Sequence, residues 1–105
     1  MKITLTIEQR LSIGQFLPKE GSLSEQLIGK SILDKTFISK VEREKIMLDQ
    51  IYQGKIMPES NIESEFDFTN EEFDLMYSDF LQKDKDRKIN QSNVSMAMKI
   101  RESKK

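Results

Sequence analysis

A chain of 105 residues with 17 basic and 18 acidic side chains, a net charge of −1 and 36% hydrophobic residues holds material for one compact domain with a thin core, which a second copy would help to complete. It has no histidine and no cysteine, which excludes thiolate nucleophiles, Ser-His and Cys-His pairs, an imidazole base, a zinc-finger site and any disulfide. No run approaches the ~20 apolar residues of a membrane helix, and the opening MKITLTIEQR lacks the apolar stretch of a signal peptide, so the expectation is a cytoplasmic protein.

In chain order, Ile3, Leu5 and Ile7 alternate with polar residues as in a short strand, yet Thr6 with Gln9 forms a capping-box pattern that starts a helix by Ile7. Ile7, Leu11, Ile13, Phe16 and Leu17 supply its apolar face up to residue 17, where Pro18 stops it. Lys19-Glu20-Gly21 is a turn. Ser22 with Glu25 opens a second helix over 23–35, with Leu23, Leu27, Ile28, Ile32 and Leu33 as its apolar positions, and Ser39 with Glu42 opens a third over 40–47.

Ile62, Ser64, Phe66 and Phe68 then alternate with Glu63, Glu65 and Asp67, the period of a half-buried strand over 62–68. Its expected partner is the stretch 47–53, joined through an irregular loop containing Gly54 and Pro58 into an antiparallel hairpin. A lone hairpin is marginal in water, so Phe66 and Phe68 must lie on the helices. Thr69 with Glu72 caps a helix over 70–82, whose Phe73, Met76, Tyr77, Phe80 and Leu81 form a continuous apolar stripe. The charged run 83–88 reads as a solvated linker. Val94, Met96, Met98 and Ile100 alternate, but Met, Ala, Lys and Arg favour a helix, predicted over 93–102 with Asn90 or Ser92 as its cap and residues 102–105 frayed. The expected fold is a single α+β domain over residues 1–105, mainly helical, with about five short helices and one antiparallel β-hairpin packed on them.

Charge is segregated. Residues 59–79 carry eight acids and no base, whereas from residue 83 onward eight bases face three acids. Glu63, Glu65 and Asp67 are the candidate protein-binding residues, because a one-signed face steers a partner of opposite sign. Their simpler role is the solvent face of a strand, with Glu71, Glu72 and Asp74 complementing a helix N-terminus. As metal ligands they are ill placed, since alternate strand residues stand about 7 Å apart. Asp84-Lys85-Asp86 has the opening of a calcium loop, but Arg87-Lys88 occupies the next ligand positions, and four glycines form no phosphate-binding motif. No catalytic residue, metal or cofactor is therefore expected.

The basic end (Lys83, Lys85, Arg87, Lys88, Lys99, Arg101, Lys104 and Lys105) is the place for nucleic acid, and the second and third helices joined by TFIS have the outline of a helix-turn-helix. A pI near 5.5, the interleaved Asp84 and Asp86, and two acids in KVEREKIML argue against that partner. Met96 and Met98 suit either an adaptable docking surface or core gaps.

Leu17, Pro18, Glu20 and Gly21, then Ser39 with Glu42, and later EFDFTNEEFDLM resemble a group of small bacteriophage and prophage proteins with the same order of helix stop, cap, strand and helix. The chain departs from that pattern at Met57, where the group carries an aromatic residue. The resemblance implies a phage or mobile-element origin and no catalytic site. The expected function is a small accessory factor that binds another protein and modulates host or phage machinery. The alternatives are a nucleic-acid-binding regulator and a homo-oligomeric assembly component.

Overall fold

The computed structural model describes residues 1–42, 44 and 63–104. Strand β1 (Lys2–Thr6) leads directly into α1 (Ile7–Ser12), which tightens into a 3-10 turn (Ile13–Phe16). Helix α2 (Leu23–Thr36) follows, then β2 (Glu63–Asp67), α3 (Asn70–Lys85) and α4 (Val94–Ser103). Residues 40–42 and 44 are helical, in agreement with a helix starting at 40; the rest of that helix, and the stretch 47–53, lie outside the described residues. The fold is mainly helical with a two-stranded antiparallel sheet, and the described residues contain four α-helices rather than about five.

The sheet joins the start of the chain to the segment ahead of α3. β2 pairs antiparallel with β1, Lys2 opposite Asp67, Ile3 opposite Phe66 and Leu5 opposite Ser64. The alternation of Ile3 and Leu5 with threonines is thus a strand after all, and the cap at Thr6 takes over only where the strand has ended. The Thr6 hydroxyl accepts from the Gln9 N–H and the Gln9 side chain accepts from the Thr6 N–H, so strand and helix signals meet at one residue without conflict. Ser22 with Glu25 and Thr69 with Glu72 close the same reciprocal box.

The first helix is shorter than the predicted 7–17. After Ser12 the chain turns three residues per turn, which stacks Ile13 directly over Phe16, both buried, and throws Leu11 out to 59% exposure. Leu17 is extended ahead of Pro18, as the proline requires. The face of α2 also differs from expectation: Ile32 and Gly29 are buried and Ile28 half-buried, whereas Leu23, Leu27 and Leu33 point to solvent. Ile28 and Ile32 sit four apart and share one side, while Leu23 and Leu27 share the opposite one, so a set of apolar residues spread around a helix cannot all face one core.

α3 follows its predicted stripe in part, with Phe73, Met76 and Phe80 buried and Tyr77 half-buried but Leu81 48% exposed, and it runs on to Lys85, three residues past the expected end. It stops in a left-handed residue, Arg87 at φ 57°, which lets the Lys88 N–H reach back to the Lys83 carbonyl at 2.8 Å. α4 then buries Met96, Ala97 and Ile100 and leaves Met98 exposed, a helical rather than alternating pattern. α2 packs on α3, and α1 on α4. Phe16, Phe68, Met76 and Ile100 form the centre of the core between them. Phe80 lies 6.3 Å from the Phe16 ring and 6.0 Å from Tyr77. Phe80→Ala should therefore lower the unfolding free energy by about 3 to 5 kcal/mol in chemical denaturation, and a loss under ~1 kcal/mol would contradict the packing.

Candidate functional site

Period-two geometry puts Ile3 and Leu5 of β1 on the core side with Phe66, and Glu63, Glu65 and Asp67 on the other, where all three are exposed. The three predicted residues do share one face. Among the described residues, their ion-pair partners are Met1 and Lys2. The Met1 amino group donates to Asp67 Oδ1 at 3.2 Å, and Lys2 Nζ lies 3.9 Å from Glu65 Oε1 with both side chains largely in water. Exposed pairs of this kind are worth at most about 1 kcal/mol. Glu71 and Asp74, exposed on the first turns of α3, extend the acidic surface from the strand onto the helix. Beside Asp67 an open cleft of about 500 Å³ is lined by Met1, Lys35, Phe68, Thr69 and Asn70.

Glu72 belongs to the interior instead. It is 3% exposed and serves two structures at once, the cap of α3 and the contact between α2 and α3. Its Oε1 accepts from the Thr69 N–H at 2.8 Å and from Lys35 Nζ at 2.7 Å, while Oε2 accepts from Ser31 Oγ at 2.9 Å. Burial pushes the carboxyl up, but the hydrogen bonds from Lys35, the Thr69 N–H and Ser31 together outweigh it and hold the group below its ordinary value. Lys35 also donates to the Asp67 carbonyl at 2.7 Å and lies 5.4 Å from the Phe68 ring centre, so it fixes the end of the acidic strand against α2.

A second charged residue, which the sequence patterns do not single out, lies against the neighbouring ring, Phe66. Arg10, 6% exposed, donates from Nε to the Thr36 carbonyl at 3.1 Å and from Nη2 to the Phe37 carbonyl at 3.0 Å, satisfying carbonyls that the end of α2 leaves open. The Glu42 carboxylate accepts from Nη1 at 2.6 Å and from Nη2 at 3.1 Å, a bidentate pair, and the guanidinium lies 5.0 Å from the Phe66 ring centre. Ser39 still accepts from the Glu42 N–H at 3.1 Å, so the third capping signal is used. The Glu42 side chain goes to Arg10, whose hydrogen bond, against some desolvation, holds that carboxyl below its ordinary value. No spacing rule flags Arg10, because its partners lie up to 56 positions away in sequence.

Among the described residues no three histidine, cysteine, aspartate or glutamate side chains converge as metal ligands, and no helix is long and apolar enough to cross a membrane. No protein family, curated protein or solved structure matches this chain.

The lowered carboxyl groups of Glu72 and Glu42 imply a specific pH response. A folded value below the unfolded one contributes stability that is complete above the ordinary glutamate range, about pH 4.3, and disappears as the pH falls through the folded value. Unfolding free energy measured in urea should be level from neutrality to about pH 5 and fall below it, and Glu72→Gln should be less stable at neutrality with a shallower acid loss. An acid loss of equal steepness in the variant would contradict the assignment to Glu72.

Proposed function

We propose that this protein is a small non-catalytic binding factor whose acidic strand face takes a basic surface of a protein partner. The observation that carries the reading is the placement of Glu63, Glu65 and Asp67 together on the solvent side of β2, with Glu71 and Asp74 exposed on the helix that follows and, among the described residues, only weak counter-charge from Met1 and Lys2. Such a face raises the encounter rate with a positively charged partner and repels acidic ones. The same proposal takes the factor to be a phage-encoded modulator of host or phage machinery, a reading supported by the resemblance to small phage and prophage proteins.

A second reading rests on a separate observation. Leu23, Leu27, Leu33 and Phe37 on α2 and its end, with Val41 beyond, are 46–76% exposed, an unusual density of large apolar side chains on a chain short of them. That favours self-assembly through α2.

The experiment is a retention assay from host lysate at moderate salt, with the protein immobilised beside a Glu63→Lys, Glu65→Lys, Asp67→Lys variant. One dominant protein held by the original and reduced at least tenfold on the variant, about 1.4 kcal/mol, is the expected result. Equal retention would remove this face. Recovery of nucleic acid alone would favour a regulator, and of the bait alone the self-assembling component.

A further inference from the structure

One side of α2 is left unused by the core of its own chain. Leu23, Leu27, Lys30, Asp34 and Phe37 follow one another at spacings of four, three, four and three, the step of a coiled-coil seam. All five are exposed, Leu23 at 76%, Leu27 at 58% and Phe37 at 70%, and they lie across the helix axis from Gly29 and Ile32, which are buried. We propose that this stripe is covered by the same stripe of a second copy, in an antiparallel dimer whose two-fold axis passes at the level of Ile32. The dimer rests on the reading of α2 as a self-assembly surface and gives that surface an orientation and a register.

Charge selects the occupant. Lys30 and Asp34 interrupt an otherwise apolar seam at adjacent seam positions, and among the described residues neither forms an ion pair. One base and one acid placed evenly about residue 32 are complementary to their own reverse. In the antiparallel dimer Lys30 stands opposite Asp34 of the partner subunit and Asp34 opposite Lys30 of the partner subunit, so two ion pairs flank the axis. A parallel pairing sets Lys30 against its own copy and Asp34 against its own, and like charges repel it.

The apolar residues agree with the register that charge selects. The alignment that pairs Lys30 with Asp34 also sets Leu27 opposite Phe37 of the partner subunit, on both sides of the axis. Slipping one copy by a heptad in one direction sets Leu23 against Asp34 and Leu27 against Lys30; slipping it the other way sets Phe37 against Asp34. Either slip covers a charge with an apolar side chain and leaves it unpaired, which is costly. The monomer already has a closed core from Leu5 to Ile100, and a single helix face is a small interface, so the dimer is weak and reversible, with a dissociation constant on the order of 100 μM.

The test is sedimentation equilibrium of the full chain from about 10 μM to 1 mM, which should show a monomer–dimer equilibrium. Leu27→Lys should weaken the dimer at least about tenfold. Lys30→Asp, which leaves only acids in the charged layer, should weaken it by about as much, and the exchange Lys30→Asp, Asp34→Lys should restore it, because the swapped pairs form in the same register. These changes fall on exposed side chains, so the urea midpoint of each variant at low concentration should stay close to that of the original protein. A monomer at every concentration, or a dimer untouched by Leu27→Lys, overturns self-assembly through α2 and this dimer with it. A dimer weakened by Leu27→Lys but equally strong in Lys30→Asp, or not restored by the exchange, leaves α2 as an assembly surface and overturns the antiparallel register.

Discussion

A guanidinium buried between the end of one helix and the start of another constrains this small fold more than any apolar contact does. Arg10 leaves α1 and closes on the carbonyls of Thr36 and Phe37 and on the carboxylate of Glu42, with Phe66 against its face. A charge with so little exposure persists only if nearly all its donors are used, and four hydrogen bonds use them. The direction in which the chain leaves α2 is fixed by that demand. Lys35 and Glu72 repeat the logic against Phe68, two residues along on the same core side, where a buried carboxylate caps α3 and receives α2. The thin core is thus framed by two ion pairs whose cations lie against Phe66 and Phe68, both on the core side of the strand that carries the acidic face.

Local chemistry was the legible part of the sequence. The capping signals at Thr6, Ser22, Ser39 and Thr69 all mark helix starts in the structure, because a cap is settled within four residues. The α3 stripe was equally readable, since Phe73, Met76 and Phe80 all recur on one side. What failed was non-local. The strand Glu63–Asp67 is legible to within a residue, but its pairing with Lys2–Thr6, 57 to 65 positions away, is not, because the alternation of Ile3 and Leu5 competes with the helix cap at Thr6. Leu23, Leu27 and Leu33 were counted as core because they are apolar; the helix could turn only one side inward, and Ile28, Gly29 and Ile32 took it. The candidate residues Glu63, Glu65 and Asp67 are legible from the acidic run and the strand period, whereas the hydrogen bonds of Arg10 join segments that no pattern links.

Charge segregation along the chain becomes a division between two regions of one surface. The acids of β2 and the first turns of α3 stay in water, apart from Glu72, while the basic residues near residue 83 gather where α3 ends and the 3-10 turn approaches it. A net charge of −1 conceals both. The helix end that makes the basic region possible depends on Arg87 taking a left-handed conformation that glycine adopts more readily.

The central claim is that the planar, many-donor geometry of Arg10, beyond its charge, holds α1, the end of α2 and the helix beginning at residue 40 together. Arg10→Lys keeps the charge and removes the fork, so urea denaturation at neutral pH should show a loss of about 2 to 4 kcal/mol. A variant within ~0.5 kcal/mol of the original protein, the range of an ordinary surface change, would contradict the account.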